Sequence, residues 1–347
     1  MKSAQRPRAS ASRRAVHAVA PVRIDLAGGT VDLWPLYVLF PGAATINVAV
    51  RIFAHCWIEP LSGRRVRIES LDQGVVAEGD SLASIAGSAL PLPRVLASEL
   101  APEGGFRMVL RAEAPAGSGL GGSSALAVAI ATALDAWRGQ RRSKWRTVEV
   151  CRNAEARVLG VPTGDQDYHP PLWGGLVALR FGLTGVAREA LTVDLDELER
   201  RLVLGYSGVS RSSGLNNWDV FRGVVERRSA LTRRLGAIVD ATRALGEALE
   251  AGNWPAAAAA MDEEWAARAK LAPGIRTPEL DRIERAARRA GATAAKVCGA
   301  GGGGCIAFLT APERRGAVEA AIERGGGQVL PSAIVRRGVR VRHASAP

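Results

Sequence analysis

Residues 115–124 read Pro-Ala-Gly-Ser-Gly-Leu-Gly-Gly-Ser-Ser, and a run that is apolar but for Thr132, 125–134, follows at once. Glycines let backbone N–H groups turn toward a ligand. The next helix adds unpaired amides and the positive end of its dipole, so 117–124 suits an anion such as phosphate. Gly117, Gly119 and Gly122 also satisfy G-x-G-x-x-G. That match is weak, because the preceding strand is amphipathic, Pro115 interrupts the approach, and no opening βαβ unit surrounds it. A Walker A loop is rejected: it needs Gly-Lys-Ser/Thr, and no lysine lies between residues 3 and 143. Two readings stay open on the loop alone. One is a lysine-free phosphate loop in which Ser123 or Ser124 offers a hydroxyl to a metal. The other is a turn of small residues for close helix packing.

Carboxylates sharpen the chemistry. Glu155 falls at helical spacing with Val148, Cys151, Val158 and Leu159. A glutamate on an apolar helix face is costly unless an arginine or a bound cation balances it. Twelve residues on, Thr-Gly-Asp-Gln-Asp-Tyr-His places Asp165 and Asp167 in a loop, where carboxylates also cap turns. Arg23 alternates inward along the apolar strand Ala-Pro-Val-Arg-Ile-Asp-Leu, and Asp32 follows the turn after it. A phosphate loop, a metal-suited hydroxyl and carboxylate, a loop aspartate and a cation together describe phosphoryl transfer to a hydroxyl. That reaction needs mainly positioning and charge neutralisation.

The elements that must position these groups read as follows. A strand over 16–26 turns at Ala-Gly-Gly-Thr into a second apolar stretch, 44–59. Segments 64–70 and 74–79 look like a hairpin. Phe106, Met108, Leu110 and Ala112 alternate with Arg107, Arg111 and Glu113, as in a half-buried strand of an antiparallel sheet. Helices are expected over 124–137 and about 147–159, and a strand over 174–182. Past 185 come short strands near 201–208 and helices near 220–251, 254–271 and 278–290. The last starts with Thr277 as N-cap and Pro278 at its first position. Strand, glycine turn and strand follow over 292–309, then another helix and C-terminal strands. Without a regular βαβ rhythm the fold class is α+β. The organisation expected is a disordered basic tail (1–15), an N-terminal domain (16–185) and a C-terminal domain (186–347).

The 347 residues are too many for one small core. Hydrophobic residues at 47% and charged residues at 23% are an ordinary globular balance, and the run 125–134, ten residues, is too short for a bilayer. The N-terminus lacks the apolar core of a secretory signal. The net charge is +12, but all except four of the 46 basic residues are arginine, spread along the whole chain. With aromatics at 5% and no basic stripe interleaved with them, nucleic acid is not an expected partner, and neither is a membrane. Four cysteines without a C-x-x-C pair make the reducing cytoplasm the default and structural zinc unexpected.

Three stretches in order, 20–32, 115–126 and 296–308, resemble the three motifs of the GHMP small-molecule kinases, the superfamily of galactokinase, homoserine, mevalonate and phosphomevalonate kinases. Within it, Gly-Asp-Gln-Asp-Tyr-His (164–169), Tyr-Ser-Gly-Val-Ser-Arg-Ser-Ser (206–213) and the segment 261–281 are most similar to the D-glycero-D-manno-heptose 7-phosphate kinase type. The resemblance implies an N-terminal domain like the second domain of ribosomal protein S5 and a ferredoxin-like C-terminal domain. It implies ATP and Mg²⁺ as cofactors, a sugar or sugar phosphate as substrate, phosphorylated at its anomeric position, and leaves room for a homodimer. Carried over, Asp167 matches the catalytic aspartate and Arg23 the basic residue that supports the reacting hydroxyl. Glu155 and Ser123 match the Mg²⁺ ligands. Pro115, Gly117, Ser118, Gly119, Leu120, Gly121, Gly122, Ser123, Ser124 and Gly301 match the nucleotide loops. Asp32, with Gly29 and Thr30, matches the acceptor side, and Arg211 and Ser212 suit a substrate phosphate or are a polar surface loop. Two departures stand out. Gly-Gly-Ser-Ser at 121–124 lets Ser123 and Ser124 exchange roles, and Tyr-His-Pro-Pro-Leu-Trp after Asp167 puts the substrate wall in doubt. A kinase of a non-sugar alcohol such as mevalonate, or a silent ligand-binding regulator, are the alternative readings.

Overall fold

A computed structural model describes residues 14–100, 104–210 and 214–347, with 214–218 as backbone only. The expected tail lies outside the described residues except for 14 and 15, and Arg211 and Ser212 lie outside them as well. Strands β1 (Val16–Ala27) and β2 (Ala44–Leu61) run antiparallel. Nine of the twelve β1 positions are apolar, Pro21 included, and almost all twelve are buried, as in a strand covered on both faces. β2 is long enough to serve two partners. Its second half pairs with β5 (Gly105–Ala112) and its first five residues with β6 (Leu176–Gly182). β3 (Val66–Ser70) and β4 (Val75–Gly79) form the expected hairpin, but β3 lies parallel to β5, so this sheet is mixed. β7 (Gly185–Glu189) extends β6 as a hairpin.

The helices of the first half are α1 (Leu36–Leu39), α2 (Pro91–Leu100), α3 (Gly122–Trp137), α4 (Lys144–Leu159) and α5 (His169–Trp173). α3 is rich in alanine and buried on nearly every side between the sheet, α2 and α4. That accounts for its lack of a polar face. The second half carries α6 (Leu195–Arg201), β8 (Leu202–Tyr206), α7 (Gly214–Val225), α8 (Ser229–Glu250), α9 (Trp254–Arg268), α10 (Pro278–Ala290), β9 (Ala292–Val297), β10 (Cys305–Thr310), α11 (Arg315–Arg324), β11 (Gln328–Leu330) and β12 (Arg340–Arg342). A four-stranded antiparallel sheet, β11-β8-β10-β9, packs against α9, α10 and α11. Thr277 caps α10 as read, its hydroxyl accepting from the Leu280 amide at 3.4 Å. Among the described residues no helix is long and apolar enough to cross a membrane.

Three expectations change. The stretch 220–251 is two helices, broken at Arg227, whose φ of 58° no helix continues. α6 and β7 are not among the expected elements; both are short, and neither carries a clean apolar period. The boundary at 185/186 also needs amendment, because the chain end returns to the first domain. Val335 donates to the Ala49 carbonyl at 2.9 Å, Ile334 bridges Val50, and β12 pairs with β1. This covers what would otherwise be an open edge of β1.

The two halves are locked by buried charge. Lys296 on β9 bonds the Asp25 carboxylate on β1, and both side chains are fully buried. Arg268, 1% exposed, pairs with Glu264 on α9 and donates to the Gly29 carbonyl at 2.7 Å. Burial alone would push the Asp25 pKa up; Lys296, then Arg268 and Arg23, outweigh it and hold it below the ordinary carboxylate value. Removing one partner of such a pair strands the other charge, at about 3–5 kcal/mol, whereas replacing both costs far less. Lys296→Met should therefore lower stability in urea by about 3 kcal/mol or more, and Asp25→Asn added to it should recover at least half. A double variant no more stable than the single one would contradict this.

Candidate active site

A cavity of about 720 Å³ opens where the 115–124 loop, the 29–33 turn and the 161–168 segment meet. Pro115, Gly117, Ser118, Gly119, Gly121, Gly122, Ser123 and Ser124 all line it. The loop takes left-handed φ at Gly117, Gly119 and Gly121 before α3 begins, and α3 starts at Gly122 with Gly121 as its cap. At Gly119 the reason is double, since a Cβ there would also lie 2.4 Å from the Cys298 carbonyl oxygen. The third glycine motif is the floor beneath this loop. Cys305 donates to the Ser118 carbonyl at 2.8 Å, and a Cβ at Gly304 would lie 2.6 Å from that same oxygen.

Two residues matched to the nucleotide loops, Gly301 and Leu120, are set back from the cavity wall. Gly301 is buried against Ile275, where a Cβ would come within 2.4 Å of its side chain, and does not border the cavity; Gly299 and Ala300 do. The Gly302 amide bonds the Ile275 carbonyl at 2.7 Å and turns this part of the loop away. Leu120 is fully buried in the core, and its carbonyl accepts from the Arg23 amide at 3.0 Å. It anchors the loop and presents no side chain to a ligand.

Arg23 joins the loop to the candidate catalytic turn. Its Nη1 donates to the Gly119 carbonyl, and its Nε and Nη2 donate to Asp167 Oδ1 at 2.9 and 2.6 Å. Burial opposes the guanidinium charge, but Asp167 and Asp25 outweigh it and raise the Arg23 pKa. The Asp167 side chain keeps 30% exposure at the cavity wall, and neither Arg23 bond occupies its Oδ2. Asp165, by contrast, is tied to Arg152 at 2.8 Å and does not line the cavity.

Glu155 is buried, and no described arginine or lysine pairs with it. Its Oε2 accepts from the Ser124 hydroxyl at 2.9 Å and from the Tyr168 hydroxyl at 2.5 Å. Burial pushes its pKa up, the hydroxyls of Tyr168, Ser123 and Ser124 pull it back, and the balance stays raised. Ser123 is exposed on the cavity wall while Ser124 is buried beside the carboxylate, so both serines reach Glu155 from different sides.

On the acceptor side, Asp32 is buried and accepts from the Gln166 amide at 3.2 Å. Burial, then the charge of Asp167, pushes its pKa up to about 7. Thr30 adopts a φ of 75°, and Arg268 donates to its hydroxyl at 3.2 Å. Gly29 leaves room for Gln166 and Asp25, since a Cβ would lie 2.8 Å from the Gln166 amide nitrogen. Gln166, Tyr168 and Arg268 line the site although sequence reasoning did not select them. For Arg268 a signal existed, the i,i+4 spacing from Glu264. His169, Pro170, Pro171 and Leu172 are buried in α5 and do not border the cavity, so of the segment after Asp167 only Tyr168 lines the wall and the rest packs behind it.

The raised Asp32 pKa has a stability consequence. The folded protein holds this proton more tightly than the unfolded chain, so the contribution is fully present below the unfolded value near 3.8. It is lost as pH climbs toward about 7. Asp32→Asn should therefore stabilise the unliganded protein at pH 8, on the order of 2 kcal/mol, with a smaller gain at pH 5. Thermal unfolding at the two pH values checks this. An equal or larger gain at pH 5 would contradict it.

Comparison with known proteins agrees with this geometry. Residues 90–175 match the GHMP kinases N terminal domain and residues 245–327 the GHMP kinases C terminal domain. The D-glycero-alpha-D-manno-heptose 7-phosphate kinase of Campylobacter jejuni is 23% identical over 337 residues, spanning 94% of this chain and 98% of that protein. Mevalonate kinase of Pyrococcus furiosus is 29% identical over 247 residues, covering 68% of this chain and 69% of that one. The crystal structure of a D-glycero-D-manno-heptose 1-phosphate kinase from Bacteroides thetaiotaomicron superposes with a TM-score of 0.75 at 25% identity, covering 95% of this chain and all of that one. The chain thus carries a GHMP kinases N terminal domain followed by a GHMP kinases C terminal domain, and its glycine and charge motifs meet in one cavity.

Proposed function

We propose that this protein transfers the γ-phosphoryl group of ATP to a hydroxyl of a sugar or sugar phosphate, at the anomeric position of a heptose phosphate or a close relative. The observation that carries it is the Arg23 bridge. One guanidinium holds both the phosphate loop, at Gly119, and the cavity-facing carboxylate, Asp167. In this reading donor and acceptor lie on two sides of one charged group.

In this reading the amides of 117–124 hold the β- and γ-phosphates. Asp167 orients the acceptor hydroxyl or takes its proton, and Arg23 holds the Asp167 carboxylate in place and offsets charge as the phosphoryl group moves. Asp32, with the 29–30 turn, accepts hydrogen bonds from other hydroxyls of the acceptor. Arg211 and Ser212 are proposed to hold a phosphate on the acceptor. Oxygen donors are the hard ligands Mg²⁺ prefers, and the Glu155 carboxylate beside the Ser123 and Ser124 hydroxyls supplies them. Among the described residues no three His, Cys, Asp or Glu side chains converge on one point, which suits an ion that completes its shell with phosphate oxygens and water. Bound there, Mg²⁺ would neutralise the phosphate charge.

ADP release with Mg²⁺ and ATP over a panel of acceptors tests the reading: heptose 7-phosphate, fucose, galactose, mannose, mevalonate and homoserine. Turnover should appear on a sugar or sugar phosphate and fall at least 100-fold in Asp167→Asn, the lower range for losing a positioned base. Turnover on mevalonate or homoserine alone would overturn the sugar assignment. Full activity in Asp167→Asn would overturn the role of the carboxylate.

A further inference from the structure

Tyr168 is the residue after Asp167, yet it points away from the acceptor chemistry and into the core. Its side chain is 1% exposed, and its hydroxyl lies 2.5 Å from Glu155 Oε2. Thr163 Oγ1 lies 3.5 Å from that hydroxyl and donates to the Arg152 carbonyl of α4 at 3.4 Å. Ser124 of α3 donates to the same Oε2 at 2.9 Å. One carboxylate oxygen therefore takes two hydroxyl donors, from α3 and from the Asp167 turn, while Glu155 itself sits on α4. Two donors converging on Oε2 fix the plane of the carboxylate. A buried hydroxyl with one proton has a single donation to make, and here it goes to Glu155.

We propose that Tyr168 is a positioning residue for Glu155. By holding Oε2 it leaves the carboxylate's other oxygen, with the Ser123 hydroxyl that also bonds Glu155, to meet a divalent cation in a nucleotide complex, and it ties the cation ligand to the turn that carries Asp167. The inference rests on the kinase reading of this cavity. Partners that orient a metal ligand set affinity strongly, and their loss typically costs 10–100-fold in metal binding. A phenyl ring fills the space of Tyr168 without the donor.

The test compares Mn²⁺ binding, measured as free Mn²⁺ by electron paramagnetic resonance in the presence of ADP, for the wild type and Tyr168→Phe. The expected result is a loss of at least tenfold in Mn²⁺ affinity in the variant, with ADP affinity in the absence of divalent ions unchanged. The Mg²⁺ concentration for half-maximal activity should rise by a similar factor, with kcat at saturating Mg²⁺ within about threefold of wild type. A second variant, with 4-aminophenylalanine at position 168, keeps an N–H donor in the same place and should restore most of the affinity. Equal Mn²⁺ affinity in wild type and Tyr168→Phe overturns the proposal. So does a loss in the 4-amino variant as large as in Tyr168→Phe, because the effect then lies in packing. If the wild type itself holds no Mn²⁺ with ADP present, the kinase reading fails with it.

Discussion

The Arg23 guanidinium is the group on which the rest of the site depends. It is buried on the first strand, where an unbalanced charge would cost several kcal/mol. Balance comes from the Gly119 carbonyl and the Asp167 carboxylate, which lie 96 and 144 residues away in sequence. Burying this one cation therefore requires the phosphate loop and the 161–168 segment to close on β1. The backbone adds to it, since the Arg23 amide bonds the Leu120 carbonyl and pins the loop from below. Side chains two apart on a strand share a face, so Asp25 faces the same side as Arg23 with the opposite charge. It takes Lys296 from the second sheet as its partner. One face of β1 thus carries two buried charges, one serving the active site and the other the union of the two domains.

That union reaches the acceptor pocket. Arg268 leaves α9, pairs with Glu264 and donates to Gly29 and Thr30 of the acceptor turn, while the Gly28 amide donates to Glu264 at 3.2 Å. The left-handed Thr30 is costly for a β-branched residue and persists because the surrounding bonds fix it. The C-terminal domain therefore shapes the acceptor side even though the N-terminal domain supplies the candidate catalytic carboxylate. Buried ion pairs of this kind add little net stability, but they tolerate few alternative arrangements. Here that property sets the geometry of a cavity between the acceptor turn and the phosphate loop.

Much of this was legible in the chain because polar residues broke apolar patterns. Arg23 in an apolar strand, Glu155 on an apolar helix face and glycines before an apolar helix each signalled a required partner, and each lines or borders the cavity. The apolar run after the glycines likewise corresponds to a helix, α3, that is buried on nearly every side. What stayed illegible was tertiary. The 164–169 motif drew attention to the stretch that holds Gln166 and Tyr168 but not to what either does, because their partners are Asn47 on β2 and Glu155 on α4. Gly301 shows the limit of glycine patterns: they report a left-handed backbone but not what that backbone faces. α6 and β7 escaped because both are short and neither carries a clean apolar period. The return of β12 to β1 escaped because strand pairing across more than 300 residues leaves no local mark.

The most direct measurement is a crystal structure with a non-hydrolysable ATP analogue, Mg²⁺ and heptose 7-phosphate. The account places the β- and γ-phosphates against the amides of 117–124 and an acceptor hydroxyl within hydrogen-bond reach of Asp167, with Arg23 still joining Gly119 to that carboxylate. A nucleotide bound away from this loop, or an acceptor whose hydroxyls all lie beyond the reach of Asp167, would contradict it.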